Sequence, residues 1–276
     1  MLRAASVRRC RLAKTDFTAI GDGDDWPRWI RRFEVRSVLE GHPADAFQEA
    51  LELGCGRGDY SKYLAEYCVH LTATEYDATK LSPRNEGKIT FDLADAQDLS
   101  RFPDAHFDLI YSSNVIEHLP HVDRCLAECR RTLKDDGILV HSVPNRTWKV
   151  FKLLLFYPSL AKMVWRRIGR RRRPAAGTSG GAIEAQPRRR SGFSLASLVP
   201  AIHGSSKSHW EEFRTWGEKH WLRTFRRNQL EVVEIVRLPF YFGYGYDFPR
   251  LIRIGNLLGL SGCTGYKLKK KLSTTI

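Results

Sequence analysis

Between residues 49 and 143 the sequence alternates short apolar segments with longer amphipathic ones. The short segments suit strands that are buried on both faces, and the amphipathic segments suit helices that cover them. Because a helix between two strands returns the chain to the same end of a sheet, such strands pair in parallel. The alternation therefore predicts an α/β fold with a doubly wound, mainly parallel sheet. The predicted strands cover 49–53, 71–76, 88–93, 107–113 and 137–143, and the predicted helices cover 59–67 and 122–133, the second ended by an Asp135-Asp136-Gly137 turn.

The segments outside this block have a different character. Residues 1–25 are basic and predict a loose arm, whereas 26–40 predicts an amphipathic helix with Asp24 or Asp25 as its N-cap. Residues 147–168 predict an aromatic and basic amphipathic helix. The stretch that follows this helix, 169–192, is rich in Gly, Pro and Arg, which predicts a disordered insertion, with order returning near Phe193.

The C-terminal part predicts a return to the sheet. A helix is expected over 209–228 and a strand over 230–238. The final alternation at 266–272 predicts a last strand at the edge of the sheet, antiparallel to the others. The predicted division of the chain is a basic arm at 1–25, a ligand-binding core at 26–146, a helix with an Arg-rich insertion at 147–192, and a C-terminal part with a lid at 193–276.

The formal net charge is +14 and there are six cysteines. Such a charge suits nucleic acid, an anionic membrane surface or an acidic substrate. The cysteines form no C-x-x-C pair, which argues against a disulfide framework or a zinc site. The first residues also lack the apolar run of a secretory signal. A cytoplasmic location is therefore the expectation.

The strongest local motif is the nonapeptide Leu-Glu-Leu-Gly-Cys-Gly-Arg-Gly-Asp at 51–59. It places an acid, Glu52, at the end of a buried strand and follows it with a tight turn. Three glycines in that turn allow positive φ and the close approach of a ligand to the backbone. Ligands of doubly wound sheets bind at this edge, where the strand order reverses. The cofactor-binding residues predicted from this motif are Glu52, Gly54, Cys55, Gly56 and Gly58.

The spacing of these glycines disfavours a dinucleotide. A G-x-G-x-x-G fingerprint would require glycine at position 59, where the chain has Asp59. An aspartate at that helix N-terminus opposes a diphosphate. S-adenosylmethionine (SAM) has no phosphate and carries a sulfonium and an ammonium group, so Glu52 and Asp59 suit it as neighbours.

Polar residues also follow the next strands. Glu75 ends the second strand, with Tyr76 after it, and its carboxylate can accept hydrogen bonds from both ribose hydroxyls. Asp95 is placed to accept from an adenine amine, and Ala96 leaves room for the ring. Asn114 follows the fourth strand.

Taken in order, the segments ELGCGRG, TATEYD, DLADAQDL, FDLIYSSNVIEHL and RTLKDDGILVHSVPN resemble class I SAM-dependent methyltransferases. Within that class they resemble the type 11 branch, which includes quinone-biosynthesis methyltransferases. The resemblance covers about residues 45–145. It implies a seven-stranded, Rossmann-like sheet and SAM as the cofactor, with the glycine loop on the methionine portion, Glu75 on the ribose, Asp95 and Ala96 on the adenine, and the backbone at Asn114 closing over the methionine end.

Two histidines are candidate proton acceptors. His118 follows the fourth strand at the edge of the predicted pocket, and imidazole can take a proton near neutral pH. His209 is a second candidate; it lies with His203 in the segment before the predicted last helix, from which similar family members often bring a histidine over the active site. Some quinone O-methyltransferases carry an acid three residues before the Glu-His pair and bind a divalent metal there. This chain has Asn114 at that position, so no metal is expected.

The acceptor is expected to be a small or lipid-linked metabolite, such as a glycan, a lipid or a quinone-type compound. The helix at 147–168 and the neighbouring arginines have the composition of an interfacial helix, which predicts peripheral association with an anionic membrane surface, on its inner face. Two alternatives remain. The charge also fits an RNA-directed methyltransferase or another nucleic-acid-binding protein, although the arginines cluster in one linker without an RNA-binding motif. The chain could also be a non-catalytic, membrane-associated scaffold with a SAM-type fold.

Overall fold

The computed structural model describes residues 10–13, 26–171, 199–200, 202–241 and 248–271. The predicted N-cap at Asp24 or Asp25, most of the Arg-rich insertion and the return of order near Phe193 lie outside these residues.

The described residues form one nine-stranded sheet. Its strand order is β1-β8-β9-β7-β6-β2-β3-β5-β4. The strands are β1 (Cys10–Leu12), β2 (Phe47–Leu53), β3 (Cys68–Glu75), β4 (Arg84–Glu86), β5 (Ile89–Leu93), β6 (Phe107–Ser113), β7 (Leu133–Pro144), β8 (Leu230–Pro239) and β9 (Ser261–Lys270).

The sheet is mainly parallel, as predicted. Neighbouring strands from β5 through β3, β2 and β6 to β7 pair in parallel, and β1 pairs in parallel with β8. Only β4 and β9 run antiparallel to their neighbours. The chain proceeds from β2 outward to β5, then returns to β6 on the other side of β2. The strand order therefore reverses between β2 and β6, and their carboxyl ends form a switch-point crevice.

Helices cover both faces of the sheet. One face buries Val35, Val38 and Leu64, and the other buries Leu126 and Phe225. This arrangement confirms the doubly wound architecture. The helices are α1 (Trp26–Val38), α2 (Ser61–Ala65), α3 (Val122–Thr132), α4 (Arg146–Arg171), α5 (His209–Thr215), α6 (Glu218–Arg227) and α7 (Pro249–Leu257), and a 3-10 turn spans Ile116–His118.

The sheet has nine strands, whereas the resemblance implied seven. Each additional strand is three residues long and sits at one end of the sheet. β1 lies within the arm that was predicted to be loose, and Arg11 of β1 forms an ion pair with Glu234 of β8 at 2.6 Å. Strands this short have no readable periodicity, so only their sheet partners define them.

The predicted position of the last strand is wrong. β9 lies between β7 and β8 and pairs with both, so it is not an edge strand. Tyr266 and Leu268 are buried in the core as a result. The lysines at 267, 269 and 270 are typical of an edge strand, but Lys267 forms an ion pair with Glu234 at 3.1 Å.

Two predicted boundaries also differ. The helix expected at 209–228 is two helices, because the chain breaks at Trp216 and Gly217. A Cβ at Gly217 would come within 2.5 Å of the Arg146 guanidinium. The Asp135-Asp136-Gly137 segment is part of β7 and does not form a turn after α3.

This segment belongs to an irregular stretch of the β6–β7 ladder. Phe107 pairs with Leu133 and Leu109 pairs with Ile138, so the residues between them in β7 bulge out. Lys134 of this bulge donates to Asp108 of β6 at 2.7 Å.

Candidate active site

The carboxyl ends of β2, β3, β5 and β6 bring the predicted cofactor residues to one edge of the sheet. The loop after β2 carries the three glycines, and each has positive φ, at +69° for Gly54, +61° for Gly56 and +81° for Gly58. Side chains at two of these positions would clash with the protein itself. A Cβ at Gly54 would come within 2.5 Å of Val115, and one at Gly58 would overlap the ring of Phe91.

Gly56 is different, because a Cβ there would meet no heavy atom within 4 Å. The space beside Gly56 is therefore open at the crevice, and its backbone lies where a ligand can approach closely. Cys55, between these glycines, is buried, and its backbone N–H donates to Thr74 O at 2.9 Å. Gly56 is thus the glycine that faces the ligand space.

Glu75 connects the end of β3 to this loop. One carboxylate oxygen accepts the Gly56 N–H at 2.9 Å, and the other accepts the Asp77 N–H at 3.1 Å. Lys80 lies 3.5 Å from the second oxygen. A carboxylate has about four acceptor positions, so Glu75 can still accept from hydroxyl groups of a ligand. Tyr76, the next residue, is 77% exposed at the same edge.

Asp95 follows β5 and forms a local turn. One carboxylate oxygen accepts the Gln97 N–H at 2.9 Å, and the Asp95 carbonyl accepts the Asp98 N–H at 2.9 Å. Ala96 is buried in the core under this turn. The turn holds the half-buried Asp95 carboxylate at the crevice edge, beside the ends of β3 and β5.

Glu52, at the end of β2, has a carboxylate oxygen that the described part of the chain leaves unused. It is 9% exposed, and among the described residues its Oε2 atom has no hydrogen-bond partner. Burial raises the pKa of Glu52 from 4.5 to about 7, against the opposing effect of the Arg31 charge. A buried carboxylate with an unused oxygen is a site for a cationic group.

Helix α1 contributes a polar network that the sequence analysis did not identify. Arg31 donates to Glu34 at 2.9 Å and also to Ser113 at the end of β6. With its amide oxygen turned towards α1, Asn114 accepts from Arg31 at 3.2 and 3.1 Å. The Tyr111 hydroxyl donates to Glu34 at 3.2 Å. Asn114 itself has a φ of +53° and donates its N–H to Ser142 O at 2.8 Å.

One signal in the sequence could have revealed this network. Glu34 lies between Ile30 and Val38 at four-residue spacing, on the apolar face of α1, and all three side chains are buried. An acid on the buried face of a helix requires a partner, and Arg31 is one turn away.

A second polar cluster lies after β6. Ligand-type atoms of Glu117, His118 and His203 lie within 4.8 Å of one another. Glu117 is buried, and among the described residues neither of its carboxylate oxygens has a hydrogen-bond partner. Burial raises the pKa of Glu117 to about 8. Burial and the nearby Lys152 charge lower the pKa of His118, so its imidazole is neutral at physiological pH.

This cluster can hold a proton or a divalent cation. Two imidazoles and a carboxylate are ordinary ligands for a transition metal, and the same groups can accept a proton from a substrate. The expectation that no metal is used was drawn from Asn114 alone, and it did not consider His203. Asn114 turns towards Arg31, so it stands apart from these three groups.

His203 is placed by contacts that join distant segments. The Ser205 N–H donates to the Glu117 carbonyl at 3.2 Å, and a Cβ at Gly204 would come within 2.5 Å of that carbonyl oxygen. The rings of Trp148 and Trp216 lie 5.4 and 5.6 Å from His203. Burial lowers the pKa of His203 to about 4.

His209, the second candidate base, lies in a different network. Its Nδ1 atom is 2.8 Å from the Lys149 ammonium and 3.3 Å from Glu212 Oε2. Lys149 and Glu212 form a buried ion pair, and Glu212 also accepts the His203 N–H. His209 therefore contacts the ion pair that binds the backbone of His203. The next residue, Trp210, is 68% exposed.

The first of these two regions fits SAM. The glycine loop leaves open space at Gly56, and the unpaired Glu52 oxygen is available to a cationic group. Glu75 and Asp95 add acceptors for hydroxyl and amine hydrogens. The acids at these strand ends suit a cationic adenosyl ligand better than a diphosphate.

The known proteins that the chain resembles are methyltransferases. A family model described as a methyltransferase domain, type 11, matches residues 51–141. A probable SAM-dependent methyltransferase of Mycobacterium tuberculosis is 33% identical over 149 residues, which cover 52% of this chain and 52% of that protein. A ubiquinone biosynthesis O-methyltransferase of Glaesserella parasuis is 28% identical over 39% of this chain and 50% of its own length. The chain thus spans about half the length of the curated relatives it matches.

Solved structures support the fold over a larger share of the chain. A Listeria monocytogenes protein described as a SAM-dependent methyltransferase superimposes with a TM-score of 0.52 at 13% identity, over 89% of this chain and 97% of its own. A Haloferax volcanii complex of a methyltransferase with the Trm112 activator gives a TM-score of 0.53 at 13% identity, over 90% and 92%. At this identity the similarity shows the fold alone. Residues 51–141 thus match the methyltransferase-domain family, and the SAM-dependent methyltransferases among the relatives, together with the strand-end residues, indicate SAM as the cofactor.

Proposed function

We propose that the chain transfers the methyl group of SAM to a nucleophile on a small or lipid-linked metabolite, of the glycan, lipid or quinone type. One observation supports this most directly. Glu52, whose Oε2 atom has no hydrogen-bond partner among the described residues, and the Glu117–His118–His203 cluster follow neighbouring strands, β2 and β6, at the same edge of the sheet. The proposal therefore puts a site for a cation and a site for a proton at this one edge.

We call the strand-end residues between Glu52 and Asn114, with the glycine loop, the cofactor side. We call the Glu117–His118–His203 cluster, with the segments that hold it in place, the acceptor side. On the cofactor side, Glu52 would hold a cationic part of SAM, and Glu75 and Asp95 would accept from its hydroxyl and amine groups. The bound cofactor would supply a methyl group that its sulfonium charge already activates. The protein then has to align the acceptor, exclude water and remove a proton.

Proton removal is assigned to His118. Its imidazole is neutral near pH 7, since burial and Lys152 lower its pKa, so it can accept a proton from a hydroxyl or amine. Glu117 and His203 lie beside it and can hold that proton or position the ring. If the cluster took a divalent cation, Glu117, His118 and His203 would hold it, and the cation would lower the pKa of a hydroxyl bound to it.

The names of the relatives do not agree on one acceptor. The ubiquinone biosynthesis O-methyltransferase named above matches 39% of this chain, and a trans-aconitate 2-methyltransferase of Deinococcus radiodurans is 29% identical over 37% of it. These names differ in acceptor although they share the domain. Trp148 and Trp216, which flank His203, are 7% and 2% exposed, so they fix the position of His203 and leave it as the part of this trio nearest to an acceptor.

The proposal is tested first by titration calorimetry of the purified chain with SAM, with its demethylated product and with NAD. We expect the chain to bind SAM and its demethylated product and not to bind NAD. Transfer of tritiated methyl from SAM into a cell extract, separated into lipid, small-metabolite and RNA fractions, then identifies the acceptor class. Label in the lipid or small-metabolite fraction supports the proposal. Label in RNA alone would replace it with an RNA-directed activity, and a folded chain that ignores SAM would be a scaffold.

A further inference from the structure

Helix α4 presents an unusual apolar stripe to solvent. Val150, Leu154, Tyr157 and Trp165 are 39%, 65%, 61% and 80% exposed, and Ala161 between them is exposed as well. Their spacing of three or four residues places them within one narrow face of the helix. Large apolar side chains in a continuous exposed row mark an interaction surface.

Helix α7 exposes a second apolar stripe nearby. Leu251, Ile254 and Leu257 of this helix, and Leu258 directly after it, are 38%, 51%, 83% and 73% exposed. This helix was not predicted from the sequence.

The two helices belong to one apolar cluster through their other faces. Phe151 and Leu155 of α4 pack with Ile252 of α7 around the buried Phe240, and the rings of Phe151 and Phe240 are 4.7 Å apart. The two exposed stripes therefore belong to neighbouring elements of one surface.

The charge of these helices is of one sign. Eight of the 26 residues of α4 and two of the nine residues of α7 are Lys or Arg, and neither helix contains Asp or Glu. Among the described residues, no helix is long and apolar enough to cross a membrane. An exposed apolar stripe on a helix that is basic and free of acids is typical of a helix that lies in the headgroup region of an anionic membrane.

We propose that the exposed stripes of α4 and α7 form a docking surface for an anionic phospholipid bilayer. A second copy of the chain is a poorer occupant, because a symmetric contact would bring two sets of basic helices together without acids between them. A bilayer surface offers an apolar layer beneath a negative one, which matches both properties of the two helices.

The docking surface begins at the active site. α4 starts directly after β7, and Trp148 in its first turn lies 5.4 Å from His203. A chain bound through α4 would hold the acceptor side close to the membrane, where a lipid-linked acceptor could reach it. This consequence for the acceptor rests on the proposed function, whereas the docking itself does not.

The docking is tested by flotation of the full chain with vesicles. Vesicles of phosphatidylcholine with about one third phosphatidylglycerol should bind it at low salt, and phosphatidylcholine alone should bind it about tenfold less. Binding should also fall at about 0.5 M salt, since charge attraction to the surface is screened. Equal binding to both vesicle types, or none to either, would overturn the proposal.

Variants assign the binding to the two helices. Leu154→Ser with Trp165→Ser on α4, and Leu257→Ser with Leu258→Ser on α7, should each weaken vesicle binding about tenfold or more, because burial in lipid is lost. Trp210→Ser is the matched control, since Trp210 is 68% exposed but lies outside both stripes. A loss in this control as large as in the α4 variant would contradict the assignment, as would a dimer in light scattering that the same stripe variants abolish.

These exposed positions are outside the core, so the variants should keep the circular dichroism spectrum and the SAM affinity of the original chain. The outcome also separates the two proposals. Vesicle binding without SAM binding would support the docking surface and contradict the methyltransferase proposal. SAM binding without vesicle binding would contradict the docking surface and support the methyltransferase proposal.

Discussion

The cofactor side and the acceptor side of this site are built in different ways. The cofactor side is short in sequence, lies within the matched domain at 51–141, and uses strand ends and positive-φ glycines of one sheet. The acceptor side joins β6 to α4 and to the 202–217 segment, through a buried ion pair and through aromatic rings in tilted and edge-to-face contact. The first is therefore fixed by the backbone, and the second by long-range side-chain contacts.

This difference has a physical consequence. Backbone geometry at a switch point follows from the fold, so the cofactor side can be shared by proteins that differ in their other half. Side-chain contacts between distant segments can be exchanged without altering the sheet, so the acceptor side can change with the acceptor. Four substitutions test this contrast, in order of decreasing expected effect.

The largest effect is expected from Glu212→Ala on the acceptor side. Glu212 is fully buried and pairs with Lys149, which would be left as an uncompensated buried charge. Loss of such a partner costs about 3–5 kcal/mol. Urea unfolding should show this loss in the free energy of unfolding, while SAM affinity of the folded fraction stays within about twofold. Glu211→Gln, at the exposed neighbour, is the control, and a cost below about 1 kcal/mol for Glu212→Ala would show that the ion pair is not important.

The next effect concerns Glu52 on the cofactor side. Its pKa is raised from 4.5 to about 7 in the folded chain, so the folded state holds this proton to higher pH than the unfolded state. The contribution of Glu52 to stability therefore falls as the pH rises from about 4.5 to about 7. Glu52→Gln should be more stable than the original chain at pH 8 by up to about 3 kcal/mol, and by much less at pH 4.

The same substitution should weaken SAM binding about tenfold at pH 8, because a cationic group loses its carboxylate partner. At pH 6 the difference should shrink, since Glu52 is then mostly protonated in the original chain. Glu49→Gln, in the same strand but half-exposed, should change neither quantity. Unfolding at several pH values and calorimetry with SAM measure both, and a Glu52→Gln variant that loses stability at pH 8 would contradict the inferred burial cost.

His118→Ala separates chemistry from cofactor binding. We expect turnover to fall about 100-fold or more, with SAM affinity unchanged, since a general base contributes roughly 100-fold to 10,000-fold. His121→Ala, at an exposed histidine three residues away, should leave turnover unchanged. Turnover equal to that of the original chain would remove His118 from the mechanism.

A chelator assay distinguishes the two uses of the same cluster. Activity that is lost with chelator and restored by a divalent cation would assign Glu117, His118 and His203 to metal binding. Activity that resists the chelator would assign His118 to direct proton removal.

The smallest effect is expected from Gly56→Ala. A Cβ at this position meets no protein atom but enters the ligand space, so SAM affinity should fall about tenfold or slightly more. Gly87→Ala is the matched control, because Gly87 has a similar φ of +59° and open space around it but lies in the β4–β5 turn. Both variants should lose about 1 kcal/mol of stability from the strained φ. Equal SAM affinity in the two variants would contradict the assignment of Gly56 to the ligand space.

Much of the cofactor side could be predicted because its signals are local. The acids at 52, 75 and 95 each end or follow a strand, and the glycines each occupy a turn, so neighbouring residues are sufficient to place them. On the acceptor side the resemblance drew attention to the segment of His203 and His209 but could not say which histidine reaches the site. His203 stands 85 residues beyond His118 in the chain, and only the packing of its segment on Glu117 brings the two rings to 4.5 Å.

The sequence by itself determined the alternation of strands and helices, the glycine loop and the three acids that follow the strands, because periodicity and turn chemistry act over a few residues. The tertiary structure alone decided that β9 enters the sheet interior, that the His203 ring reaches His118, and that α4 and α7 pack into one apolar cluster. These features depend on contacts between residues far apart in the chain, and such contacts leave no local pattern.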